Sequence, residues 1–175
     1  DAYNALKCGI SSSVIFNVLG NSGPYTEQLI MNGNIPNASA ARTITFNGNG
    51  NTITFNTTTA EKAVIKLKNI EYIRFENLVI APTGADNGFG VHLTGDANFN
   101  IIRNCTINIS ATATTTSYAG IAVSGSETDA VGTGTTATLK SDNNEFLNNT
   151  ITGGYYGITL ASSFTNGAHG NNRVY

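Results

Sequence analysis

Charge is scarce in this chain: 11% of its 175 residues are Asp, Glu, Lys or Arg, and the net charge is −2. With a pI near 5.6, that leaves no basic footprint for nucleic acid or an anionic membrane surface. Long apolar runs are missing as well. No stretch reaches the roughly 18 residues of a membrane-crossing helix, so no membrane insertion is expected. The only two cysteines, Cys8 and Cys105, have no metal or redox spacing. There is neither an initiating Met nor a signal peptide at Asp1. The chain is therefore expected to be truncated at its start, and at its end too, because Asn172-Arg173-Val174-Tyr175 matches Asn100-Ile101-Ile102-Arg103 and breaks off inside a new repeat; flanking domains of the same polypeptide are the expected partners.

Little charge does not make the chain disordered. Asn, Thr, Ser and Gly supply its polarity, and 40% of residues are hydrophobic at patterned positions. At 18.3 kDa residues 1–175 are expected to form a single domain with a continuous core.

What is present comes in repeats. The second half of Ile73-Arg74-Phe75-Glu76-Asn77-Leu78-Val79-Ile80 returns as Ile102-Arg103-Asn104-Cys105-Thr106-Ile107 and Phe146-Leu147-Asn148-Asn149-Thr150-Ile151, with an earlier copy at Gly50-Asn51-Thr52-Ile53. The closing isoleucines, at 53, 80, 107 and 151, are 27, 27 and 44 residues apart. The last step exceeds the period by 17, the length of the polar insertion Ser124–Lys140. A fixed period of this size marks a solenoid.

Within each period the pattern is that of strands. Arg42–Phe46, Thr52–Phe55, Val64–Lys68 and Tyr72–Glu76 alternate apolar and polar residues. A second column, Gly-apolar-x-apolar, runs through Phe89–Leu93, Ala119–Val123 and Tyr156–Leu160, its Gly expected to supply a special corner geometry. Equivalent residues must lie side by side, so neighbouring strands run parallel. The fold class predicted is all-β: a right-handed parallel β-helix of about six coils over 14–175, with a short N-terminal helical cap over 1–9. Asn51, Asn77, Asn104, Asn148 and Asn149 are expected to turn inward at corners as a structural ladder bonding backbone groups. Cys105 shares the parity of Ile107 and is expected inside. Cys8 lies about four repeats away, on the order of 19 Å at ~4.8 Å per strand, beyond the ~7 Å a disulfide spans.

These residues resemble the right-handed parallel β-helix proteins of the pectin-lyase-like superfamily. More closely, Ser22–Leu29, Thr43–Gly48 and Gly153–Leu160 resemble modules of large secreted or surface proteins of Bacteroidetes. The resemblance implies an extracellular or cell-surface location, and it specifies fold more than activity. In lyases of this fold it would require an Arg or Lys base beside acids holding calcium on adjacent coils. Asp86, Asp96, Glu127, Asp129 and Asp142 instead occupy different places in the register. In its glycoside hydrolases it would require paired acids and a Gly-His-Gly element, from which Gly167-Ala168-His169-Gly170 departs by an inserted Ala. No catalytic residue, metal ligand or cofactor is assigned, and calcium enters only under the lyase alternative. Arg103 is expected beside Glu76 as an exposed cross-strand pair worth roughly a few tenths of a kcal/mol.

The Gly-containing column is the expected ligand face. Lys66, His92 and Thr159 are expected outward on successive coils, as are Lys68 and Thr94, beside Phe89, Tyr118 and Tyr156. Aromatic rings beside polar and cationic groups suit polysaccharide or another surface polymer. The functional expectation is a structural or adhesive module contacting polysaccharide along this lateral groove. The alternatives are a polysaccharide lyase or glycoside hydrolase with catalytic residues partly outside the chain, and a passive spacer.

Overall fold

The computed structural model describes residues 2–132, 140–161 and 170–175. A five-residue helix, α1 (Ala2–Leu6), precedes the first coil: β1 (Val14–Asn17), β2 (Tyr25–Thr26) and β3 (Leu29–Asn32). The second coil is β4 (Ile44–Asn47), β5 (Thr52–Phe55) and β6 (Ala63–Lys68), and the third is β7 (Ile73–Glu76), β8 (Val79–Pro82) and β9 (Gly88–Thr94). Then come β10 (Ile101–Arg103), β11 (Thr106–Asn108) and β12 (Tyr118–Ser124), followed by β13 (Glu145–Leu147), β14 (Thr150–Thr152) and β15 (Tyr156–Ala161); β16 (Arg173–Val174) opens a further coil. Every third strand joins the same sheet. Sheet A runs β1-β4-β7-β10-β13-β16, sheet B β2-β5-β8-β11-β14 and sheet C β3-β6-β9-β12-β15, all parallel. This is the right-handed parallel β-helix expected, with the short helix at its N-terminal end. Tyr25–Met31, which reads as one strand, bends into β2 and β3 with Glu27 exposed between them.

The core is a set of stacks. Tyr25, Ile53, Ile80, Ile107 and Ile151 lie partner to partner across sheet B. Leu29, Ile65, Val91, Ile121 and Ile158 do the same in sheet C. In sheet A the Phe16, Phe46 and Phe75 rings stack at 5.0 and 5.1 Å, offset-stacked geometry that adds to their burial. Leu6 of α1 joins this core, and the Tyr3 hydroxyl donates to Asn32 O at 2.6 Å, holding α1 against β3.

Asparagine does two different jobs, and one expectation is corrected here. Asn51 and Asn149 turn inward as expected: Asn51 accepts from Ser22 and Gly23 N–H and donates to Leu19 and Gly48 O, and Asn149 accepts from Cys105 N–H and donates to Ile102 O. Asn77, Asn104 and Asn148 are instead exposed. Their φ values of 56°, 54° and 52° put them in the left-handed region, which Asn enters more readily than other side chains. The inward ladder stands at another corner. Asn172 accepts from Asn144 N–H, Asn144 from Asn100 N–H, and Asn100 from Ile73 N–H, at 2.8, 2.9 and 3.0 Å. The three amides also donate to Ser141, Ala97 and Ile70 O.

The residue before each member of that ladder is left-handed too. Asn143 and Asn171 have φ 57°, but in the two coils above the position holds Tyr72, φ 62°, and Phe99, φ 56°. For residues other than Gly, Asn or Asp this conformation costs about 1–2 kcal/mol. The two rings stack at 5.2 Å and 6°, and Phe99 remains 41% exposed.

Candidate functional site

Sheet C carries the residues expected to meet a ligand. Its register is the one expected: Lys66 pairs with His92 and Lys68 with Thr94, His92 with Ala122, and Ala122 with Thr159. The chain reaches this register by facing Gly90 and Val91 inward in succession while Phe89 and His92 face out. A Cβ on Gly90 would stand 2.4 Å from Ile107 Cγ2 and 2.6 Å from Gly120 O. The glycine is thus needed for room, since its φ lies outside the left-handed region.

Most of the outward side chains do not reach solvent. The start of the insertion, Ser124 to Gly132, folds back across the outer face of sheet C. Under it His92 and Thr94 are each 1% exposed, and Lys66, Phe89 and Thr159 are buried; Tyr156 and Lys68 are half-buried, whereas Tyr118 packs into the main core with its hydroxyl donating to Ala85 O. Phe89, Ala63, Ala119 and Ala122 form a small apolar cluster with Ala130 of this flap. Ser124 Oγ donates to Ser126 O at 3.0 Å or to Asp129 O at 2.6 Å, and Ser126 Oγ accepts from Thr128 and Asp129 N–H, which fixes the flap's turn. Thr94 and Thr159 hydroxyls donate to Ser126 and Ala130 O.

Charge is balanced beneath and beside the flap. Lys66 Nζ lies 3.5 Å from Glu61 and 3.9 Å from Glu127; Lys62 lies 3.5 Å from Asp129, and Lys68 pairs with Glu127. The Lys68 hydrogen bond, joined by the Lys68 and Lys66 charges, holds the Glu127 carboxyl below its usual 4.5. Burial first, then the Lys66 charge, pushes His92 from its ordinary 6.5 to about 3, so its imidazole is neutral. His92 Nε2 lies 2.9 Å from Ser124 Oγ, and the Phe89 ring meets its edge at 5.5 Å. A buried neutral histidine against a buried hydroxyl is a packing pair as it stands.

The expectation of an open groove along Lys66, Lys68, His92, Thr94, Phe89, Tyr118, Tyr156 and Thr159 is therefore corrected. Tyr118 packs into the main core instead, and the flap covers most of the others. The sequence carried a signal for this. β6 and β12 place small apolar residues, Ala63, Ala119 and Ala122, at outward positions, and every residue of β9 and β12 is buried. Strands buried on both faces read as near-continuous apolar runs.

Elsewhere, Arg103 pairs with Glu76 across β10 and β7, and Cys105 is buried in the core and Cys8 exposed, both as free thiols. Burial pushes the Cys105 thiol from 9.0 up to about 11. Gly167–His169 and residues 133–139 of the insertion lie outside the described residues. Among the described residues no three His, Cys, Asp or Glu side chains group as metal ligands. An apolar cavity of about 550 Å³ beside α1 is walled by core side chains such as Tyr25, Leu29, Phe46 and Phe75 and gathers none of the expected ligand residues.

These features define a parallel β-helix protein with one sheet roofed by its own insertion. Compared with known proteins, the chain matches no protein-family model, no curated protein and no solved structure.

Proposed function

We propose that the chain is a structural and adhesive module of a secreted or cell-surface protein that contacts polysaccharide along its side. The observation that carries this reading is the commitment of sheet C's polar groups to partners within the chain. Lys62, Lys66 and Lys68 are bound to Glu61, Glu127 and Asp129, and His92, Thr94 and Thr159 to the flap. A polar face satisfied in this way stiffens the coil. Polymer contact then falls to the uncovered sides. The resemblance to the pectin-lyase-like superfamily and to Bacteroidetes surface modules supports the same reading, including its location outside the cell.

The enzyme alternative, a polysaccharide lyase or glycoside hydrolase, puts its catalytic residues partly outside the chain. The His92–Ser124 pair, 2.9 Å apart, adds nothing to it, because a catalytic pair must reach substrate and both residues are buried, 1% and 0% exposed. Affinity electrophoresis in gels containing polysaccharides tests the proposal: retardation by at least one polymer is expected. Unsaturated or reducing-end products from polygalacturonate would contradict it in favour of the enzyme, and no retardation would leave only a spacer.

A further inference from the structure

A parallel-stacked ring pair lies clear of the flap. At the corner leading into sheet A, Tyr72 and Phe99 occupy a column whose next two members are Asn143 and Asn171, all four with positive φ. Asn suits that backbone, whereas bulky rings are genuine outliers there. Burial accounts for the choice only in part, because Phe99 is 41% exposed and Tyr72 half-buried. The rings lie parallel, 5.2 Å apart. Beside them Glu71 Oε1 accepts from Asn98 Nδ2 at 3.1 Å, and Asn98 Oδ1 accepts from Asp142 N–H at 2.7 Å. Strained backbone kept at an exposed position points to function rather than stability.

We infer that the Tyr72–Phe99 corner is a carbohydrate-stacking platform for a polysaccharide of neutral pyranose units. The inference rests on the adhesive reading above and moves its contact from the sheet C groove to this corner. The inner faces of the two rings are turned on each other, so the C–H face of a pyranose packs on the outer face of the more exposed ring, Phe99, and its hydroxyls find acceptors and donors in Glu71, Asn98 and Asn143 alongside. The Glu71 carboxylate welcomes hydroxyl donors and repels a uronate, which selects against acidic polymers.

The test is a double substitution, Tyr72→Asn with Phe99→Asn, which installs the residue the two coils below already carry. If the rings serve a ligand, relief of the backbone offsets the lost stacking, and the melting temperature stays level or rises by about 2–4 °C. In gels containing xylan, galactomannan or mixed-linkage β-glucan, the wild-type chain is retarded by at least one polymer, and the variant migrates as in a blank gel. A fall in melting temperature beyond about 4 °C would make the rings structural and overturn the inference. Equal retardation of variant and wild type would also overturn it while leaving the adhesive reading intact. Retardation of the wild type by none of the three, or only by polygalacturonate, would sink the platform; no retardation at all would take the adhesive reading with it.

Discussion

Asn144 Oδ1 accepts the main-chain N–H of Asn100 at 2.9 Å although 44 residues separate them. One coil lower, Asn172 does the same for Asn144 across 28 residues. The corner is thus rebuilt in register on both sides of the insertion.

Removing a member of this ladder should be costly. Asn144→Ala orphans the Asn100 N–H and the Ala97 carbonyl, both in a buried corner, at about 1–3 kcal/mol for each group. Asn144→Asp keeps one acceptor but sets a buried carboxylate oxygen against the Ala97 carbonyl and Asn172 Oδ1, so at neutral pH it should be no more stable than Ala. Urea denaturation orders the three; equal stability of Ala and wild type would show that the ladder carries no weight.

The glycine column makes a paired prediction. A Cβ on Gly120 would stand 2.5 Å from Gly157 O and from Ile151 Cγ2, whereas one on Gly157 meets nothing within 4 Å. Gly120→Ala should destabilise by about 1–3 kcal/mol and Gly157→Ala by far less, as read by thermal melts.

His92 makes stability depend on pH. Its folded pKa of about 3 lies below the ordinary 6.5, so between those values the unfolded chain takes up a proton that the folded chain refuses. The contribution is complete above 6.5 and is lost as pH falls, at about 1.4 kcal/mol per pH unit. Glu127, depressed as well, adds a loss of the same sign, but only once pH falls below about 4.5. Denaturation curves between about pH 5 and 6.5 isolate the histidine, and His92→Gln should flatten the slope there. An unchanged slope would mean that the flap does not seal His92 from water.

Lys66 should be replaceable. Its side chain is 7% exposed with carboxylates only at 3.5 and 3.9 Å, loose geometry for the desolvation it bears. The Glu61 and Glu127 carboxylates retain solvent contact and can rehydrate. Lys66→Met should be neutral or stabilising by about 1 kcal/mol in urea denaturation; a loss above about 2 kcal/mol would show the lysine to be the flap's anchor.

The thiols should separate by burial. Cys8 is exposed, whereas Cys105 is buried with its pKa pushed up to about 11, which withholds the reactive thiolate. Ellman's reagent should titrate one thiol in the native chain and two in denaturant.

Much of the coil was legible because its signals repeat. Ile53, Ile80, Ile107 and Ile151 recur at one spacing, and the Arg103–Glu76 neighbourhood follows from that register alone. Two things were not legible. Asn serves equally as a left-handed corner residue and as an inward amide, so the motif around Asn77, Asn104 and Asn148 does not say which way the side chain turns. Outward direction from a strand also says nothing of what lies above it. Whether His92 meets solvent depends on where Glu127 and Asp129 find their lysines, a pairing made across 59 to 67 residues of chain with no periodicity to mark it. The platform at Tyr72 and Phe99 escaped notice because only the backbone angle, invisible in sequence, sets it apart from an ordinary surface pair.

The coil stack itself is tested most directly by methyl NOEs in a chain labelled at the isoleucine δ1 carbons. Contacts should run in single steps from Ile53 to Ile80, Ile80 to Ile107 and Ile107 to Ile151, since each is the next one's partner. Absence of the Ile80–Ile107 contact, or a contact that skips a coil, would contradict the fold and every surface assignment built on it.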